Sequence, residues 1–316
     1  MKNIHAVNTR ALRADRLLLL TAMIWGCAFV AQRLGMRYIG PFTFNAIRFM
    51  IGGCALIPLI LYRNRRYGVP SDPEHSFFSP EFLKKGLLIG CVLFCGASLQ
   101  QIGMIYTTAG KGGFITGLYV ILVPVIGLFL GRRTGWSGWA GAALATFGMY
   151  LLCVADTLTI EAGDIWVLAG AFFWASHVLI LGWLSPKMDT IKLACAQFLV
   201  CSLLSLTTAI LIESITISGI WNGILPILYG GLVSVGIAYT LQVVAQKDAP
   251  PAHASIILSL ETVFAAFSGW LLIGEVLSLR AVVGCGLMLA GMLIVQLWPA
   301  ALPETAMSHM SPRTAG

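Results

Sequence analysis

The amino-acid sequence predicts an all-α membrane protein of ten transmembrane helices arranged as two inverted five-helix repeats. Three observations carry that expectation. Apolar stretches long enough to cross a bilayer recur from Leu17 to Trp298, basic residues segregate to alternate connectors, and the two halves of the chain match in register. Of 316 residues, 58% are hydrophobic and 10% charged, whereas a soluble domain carries roughly a quarter charged residues. Water cannot be the solvent for most of this surface, and no gap between segments has room for a separate soluble domain.

The first segment, 17–35, follows Lys2, Arg10, Arg13 and Arg16. Such a start before LLLLTAMIWG has the look of a signal peptide, but the segment has a counterpart deep in the chain and is read as a retained helix. Segments 41–62, 86–107, 112–131 and 135–154 complete a first unit, 17–154. Segments 164–184, 190–212, 223–243, 252–273 and 280–298 form a second, 164–298, and the tails are 1–16 and 299–316. The longest connector, 63–85, carries three prolines and mixed charge and reads as a solvated loop with room for a short surface helix. In the fourth segment, Gly113 and Gly117 form a GxxxG pair that permits close helix approach, and Pro124 interrupts the hydrogen-bond ladder. Gly141 with Gly148, and Gly284 with Gly291, lie seven apart and share a helix face. Pro250 and Pro251 set the start of the ninth segment.

Ten crossings put both termini on one side, so the basic residues test the count. Fifteen fall on the side of the termini (Lys2, Arg10, Arg13, Arg16, Arg63, Arg65, Arg66, Lys84, Lys85, Arg132, Arg133, Lys187, Lys192, Lys247 and Arg313). Four (Arg33, Arg37, Lys111 and Arg280) fall opposite, and Arg48 lies within a span. The termini are therefore expected in the cytoplasm of a cell with this chain in its (inner) membrane. The acidic loop 155–163, with Asp156 and Glu161, falls outside. The net charge of +7 is split into short clusters rather than one stripe, so nucleic acid is not an expected partner. The eight cysteines lie inside apolar stretches without paired ligand spacing and read as packing thiols; no metal or other cofactor is implied.

A shift of 149 places IWGCAFV, with Trp25, over FWASHVL, with Trp174, and FNAIRF over LACAQF. A shift of 141 sets Gln101 over Gln242, and one of 143 sets GAALATFG over GCGLMLAG. Five crossings per half invert the second half relative to the first. Inverted repeats are a recurrent transporter plan, because two similar halves facing opposite ways can expose a central site alternately.

The stretch SLETVFAAFSGWLLIGE (259–275), the following VGCGLMLAGMLIV, and FITGLYVILVPVIGLFLG with WGCAFVA in the first half resemble the drug/metabolite transporter superfamily, specifically its EamA-type ten-helix members. The resemblance implies a secondary transporter or exporter of small metabolites such as amino acids, bases, vitamins or drug-like compounds. Thr262 stands where members often carry proline after the glutamate, so the kink such a proline brings is not expected here.

Charged groups inside hydrocarbon cost several kcal/mol unless sheltered, which makes Arg48 and Glu261 the first candidates for function. Glu261 lies about 13 Å into its span, near the bilayer middle, on a small-residue face with Ala254, Ala265 and Ser268. It is a candidate to bind a proton or a cationic substrate group, against the bland reading of a carboxyl that pins two helices. Arg48 lies about 10 Å deep. It either snorkels to the interface or faces inward to attract an anionic group or pair with Glu261. His177, one turn beyond Trp174, is a candidate relay or a packing histidine. Asn45, Gln100, Gln101, Gln197, Gln242, Tyr119 and Tyr239 are polar groups able to line a cavity, and Trp25 and Trp174 can stack on an apolar ligand or fill helix crossings.

An intramembrane enzyme would need clustered catalytic groups that no span contains. A channel would call for rings of charge or a carbonyl filter. A lipid-linked sugar flippase or nucleotide-sugar carrier is the alternative, weakened because phosphate ligands favour several cations and the spans offer Arg48 alone. The expected partners are a small-molecule substrate, protons as a candidate co-substrate and the lipid bilayer; a homodimer is left open.

Overall fold

The computed structural model describes residues 2–67, 79–107, 109–153, 162–273 and 278–298, and among them there are helices and no strands. The first half contains α1 (Lys2–Gly35), α2 (Pro41–Tyr67), α3 (Pro80–Tyr106), α4 (Ala109–Gly117), α5 (Tyr119–Phe129) and α6 (Trp136–Cys153). The second contains α7 (Ala162–Leu184), α8 (Thr190–Ile212), the short α9 (Ile217–Asn222) and α10 (Ile224–Leu228), a π-helical stretch Tyr229–Tyr239, α11 (Thr240–Ala245), α12 (Pro251–Leu258), α13 (Glu261–Ile273) and α14 (Leu279–Leu297). Nine spans among the described residues are long and apolar enough to cross a membrane. The tenth expected span is present as α6, whose 18 residues reach about 27 Å at 1.5 Å per residue. The surface helix expected within 63–85, the acidic loop 155–163 and the tail 299–316 fall largely or wholly outside the described residues.

Local chemistry sets the helix ends. Ser79 accepts from Phe82 N with Pro80 at the first helical position, Thr216 caps α9, and Ser278 accepts from Ala281 N at the start of α14. The second span of each half has a carboxylate at its start. Asp189 caps α8 by accepting from Ile191 N and Lys192 N, and it pairs with Arg63 near the end of α2 at 3.3 Å. At the other end of this helix pair, Glu213, just past α8, accepts from Phe42 N and Thr43 N, both at 2.8 Å, at the start of α2. Gly40 is required there, since a Cβ would lie 2.3 Å from the Glu213 carboxyl carbon. A carboxylate over a helix N-terminus is favourable, so α2 takes its cap from its partner.

Contact order along the helices gives their directions. Ala46, Gly53 and Arg63 of α2 meet Ser202, Phe198 and Asp189 of α8, which makes the pair antiparallel. Gly96 and Gly103 of α3 meet Phe173 and Gly163 of α7, also antiparallel, while Gly86 and Gly90 meet Ala196 and Val200, so α3 and α8 run parallel. Thr21 bonds to the Ala238 carbonyl and Tyr229 to that of Ile24, so the eighth span is antiparallel to α1; Ile51 and Gly52 meet Gly231 and Val235, so it is parallel to α2. Following these directions through the bundle, α1 and α7 run oppositely, and the second half is inverted. The exchange of halves maps each contact onto another: α1 on α12 and α13 corresponds to α7 on α4 and α5, and α14 on α6 maps onto itself. At that last crossing Gly141 faces the Gly291 carbonyl and Gly148 that of Gly284, so the two seven-residue glycine pairs read from the sequence pack on each other.

Two expectations about irregularity change. The fourth span breaks at Leu118 rather than at Pro124, which is accommodated inside α5. The ninth breaks at Ser259 and Leu260 without a proline at 262. There Ser259 Oγ donates to the Ile256 carbonyl at 2.8 Å, and Thr262 N bonds Ser259 O at 3.1 Å, an i to i+3 turn that replaces one helical rung. Thr262 instead donates to the Gly113 carbonyl of α4 at 3.1 Å, tying the two broken spans together.

The glycine crossing generates a stability test. An added Cβ at position 148 would lie 2.5 Å from the Gly284 oxygen, so Gly148→Val is expected to destabilise by about 1–3 kcal/mol through overpacking. The neighbouring Phe147→Leu, at a residue 55% exposed on the outer surface, is expected to leave the melting temperature of the detergent-solubilised protein near that of the parent.

Candidate substrate-binding site

The two broken spans meet near the bundle centre, and a cavity with about 440 Å³ of empty space, counting its mouth, opens beside their breaks. Tyr119 begins α5 and Glu261 begins α13. They are 142 residues apart and hold equivalent places in the two halves. Glu261 is 3% exposed, and the Tyr119 phenol faces its carboxyl. The two groups are each other's nearest polar partners, and Oε1 of Gln242 on the same cavity is buried without a hydrogen-bond partner. Buried polar atoms in proteins are ordinarily satisfied, so Gln242 offers an acceptor to a ligand.

Arg48 reaches the cavity from α2. It does not snorkel: it is 2% exposed, donates from Nε to Asn45 Oδ1 at 2.9 Å, and lies 4.9 Å and 5.3 Å from the ring centres of Phe49 and Phe44. Aromatic faces stabilise a desolvated guanidinium. Gly230, in the π-helical stretch, packs against it at ordinary contact distance. No ion pair joins Arg48 to Glu261 among the described residues. Tyr239 lies within electrostatic range of both, and the guanidinium and the carboxyl share one cavity without touching.

Aromatic rings form the wall. Tyr239 packs 4.5 Å from Trp25, 6.0 Å from Trp174 and 5.9 Å from Phe49 by ring centres. The repeat-related tryptophans thus flank one tyrosine. Trp25 Nε1 donates to the Ser234 carbonyl at 3.3 Å, an oxygen of the π-helical stretch, while Trp174 Nε1 donates to Gln100 Oε1 at 2.7 Å. Gln100 also accepts from Thr116 Oγ1 at 3.4 Å and donates to Gln32 Oε1 at 3.0 Å, linking α1, α3, α4 and α7.

Of the residues singled out from the sequence, Glu261, Arg48, Trp25, Trp174, Gln100, Gln242, Tyr119 and Tyr239 line this cavity. The other four support it from behind. Asn45 holds Arg48. His177 is paired with Gln197 Oε1 at 2.8 Å and sits behind Trp174 and Tyr239, 6.0 Å and 6.3 Å away. Gln101 donates to the Gln32 carbonyl at 3.4 Å. The shift of 141 thus paired the wrong glutamine with Gln242: at 142, Gln100 and Gln242 correspond, and both line the cavity. Phe29, Gln32, Thr116 and Ser234 were missed, and only the position of Gln32 one turn beyond Phe29 on the Trp25 helix hints at its place. Removing the Gln100 hub has a calculable consequence. Gln100→Leu leaves the Trp174 indole and the Gln32 amide without partners at about 1–3 kcal/mol each, and is expected to lower the melting temperature and shift tryptophan emission, whereas Gln101→Leu shifts emission little.

With this geometry in view, comparison with known proteins is informative. The model of the EamA-like transporter family matches twice, over residues 12–154 and 161–297. An uncharacterized transporter of Archaeoglobus fulgidus is 29% identical over 92% of this chain and 88% of its own length. The uncharacterized transporter YoaV of Bacillus subtilis is 22% identical over 85% and 91%, and a chloroplastic WAT1-related protein of Arabidopsis thaliana is 24% identical over 86% of this chain and 66% of its own. A crystal structure of 20% identity superposes with a TM-score of 0.72 over 90% of this chain and 96% of the other, which shows a shared fold. Two family matches, one to each half, over a bundle whose halves meet at a buried polar cavity make this chain a member of the EamA-like transporter family.

Proposed function

We propose that this chain is a secondary transporter that exports a small metabolite across the cell membrane by alternating access, with both termini in the cytoplasm. The observation that carries the reading is a cavity between the halves, deep in the spans, where a guanidinium and a carboxyl that do not pair stand near aromatic rings. Each charge is costly so deep in a membrane protein, and a ligand bearing complementary groups offsets that cost for both. The aromatic rings suit a compound with an apolar or planar body, within the range of amino acids, bases, vitamins and drug-like molecules. Glu261 is the group proposed to accept the cationic part or a coupling proton, and Arg48 the group proposed to accept the anionic part. The fifteen-to-four division of basic residues supports cytoplasmic termini. A phosphorylated sugar donor is the weaker reading, because Arg48 is the one guanidinium on the cavity.

Untargeted metabolite profiling of medium and cells tests this. Expression of the native chain is expected to raise at least one compound class in the medium on the order of 10-fold over Glu261→Gln and Arg48→Gln, a loss of about 1.4 kcal/mol of differential binding for each variant. A native chain that inserts and moves nothing, or variants that export as well as it does, would overturn the reading.

A further inference from the structure

Two acid–base side-chain contacts outside the cavity occupy equivalent places in the two halves. Asp15 of α1 meets His253 of α12 at 2.6 Å, and Asp164 of α7 meets Lys111 of α4 at 2.8 Å. The aspartates are 149 residues apart, the shift that relates Trp25 to Trp174. Lys111 and His253 are 142 apart, the shift that relates Tyr119 to Glu261. Each pair therefore joins the first helix of one half to the start of the broken span of the other. Because the halves are inverted, Asp15–His253 lies on the face of the termini and Lys111–Asp164 on the opposite face.

We propose that these pairs are matched latches, one at each membrane face, and that the cavity opens to a face when the latch on that face parts. The proposal rests on the alternating-access reading. Its geometry is specific. The helices joined by each latch carry cavity residues farther along: Trp25 and Gln32 on α1 opposite Leu258 on α12, and Trp174 on α7 opposite Thr116 on α4. Separation of α1 from α12 or of α7 from α4 at the latched end therefore uncovers the cavity from that end. The side chains are sheltered but not sealed, at 12% and 16% exposure for Asp15 and His253 and 10% and 29% for Asp164 and Lys111. Parting either pair leaves a largely buried aspartate unpartnered, so water or new side-chain contacts have to take the partner's place when a face opens. The opposite-face latch is reinforced: Thr107 Oγ1 donates to Asp164 at 2.8 Å, and Arg33 donates to the carbonyls of Met104 and Ile105 at 2.7 Å and 2.9 Å.

The test is a cysteine-free chain with Ser234→Cys in the cavity, labelled in sealed vesicles of both orientations by a membrane-impermeant maleimide. Asp164→Asn and Lys111→Gln are expected to shift the ratio of labelling toward the opposite face on the order of 5-fold, the equivalent of losing one partly exposed pair. Asp15→Asn and His253→Gln are expected to shift it toward the face of the termini. The exchange Lys111→Asp with Asp164→Lys is expected to restore the parent ratio, and it serves where a single variant fails to insert. An unchanged ratio, or both sets of variants shifting it the same way, overturns the latches. Failure to find an exported metabolite with the labelling shift intact discards the exporter reading alone; unshifted labelling in a chain that exports discards the latches alone.

Discussion

A guanidinium and a carboxyl within membrane spans have to be screened from hydrocarbon by protein, and much of this structure answers that requirement. Arg48 is wrapped by Phe44, Phe49 and Asn45, and Glu261 is buried at the start of α13 beside Tyr119. The helices that bury them come from both halves of the chain. Neither half alone encloses the cavity, because Trp25, Arg48 and Tyr119 belong to the first and Trp174, Tyr239 and Glu261 to the second. Shelter of the charges and pairing of the repeats are the same physical fact.

Inverted symmetry explains features that look incidental in the sequence. Gly40 leaves space at the start of α2 because the carboxylate of Glu213 arrives from α8, whereas the corresponding helix start carries its own Asp189. Glycine faces glycine at the α6 and α14 crossing because that contact maps onto itself. The symmetry is also imperfect in informative places. The eighth span holds a π-helical stretch where α3 is regular, which presents the Ser234 carbonyl to Trp25, whereas Trp174 takes its bond from the side chain of Gln100. A wider helical turn next to a binding cavity is a common place for such irregularity.

The spans were legible because bilayer thickness imposes one length on every apolar run, and the half repeat was legible because tryptophans and glycines recur at nearly constant offsets in the two halves. Helix ends were less so. α1 to α3 extend past their apolar cores through polar turns that hydropathy does not register. The breaks at Leu118 and Ser259 were hidden because neither is made by proline; each depends on tertiary contacts, such as Thr262 with Gly113, that no local pattern carries. Eight candidate residues line the cavity because intramembrane polarity is itself a signal, while Gln32 needed the packing of α1 on α3 to be recognised. Lys111 entered the sequence reading only through the charge count, and its pairing with Asp164, like that of Asp15 with His253, emerges from the fold.

The central claim is that the cavity holds the transported molecule between Arg48 and Glu261. The most direct measurement incubates the purified protein with a whole-cell metabolite extract and identifies retained compounds by mass spectrometry. The account predicts a compound retained by the native chain and lost on both Arg48→Gln and Glu261→Gln. Equal retention by all three, or retention that depends on neither charge, would contradict it.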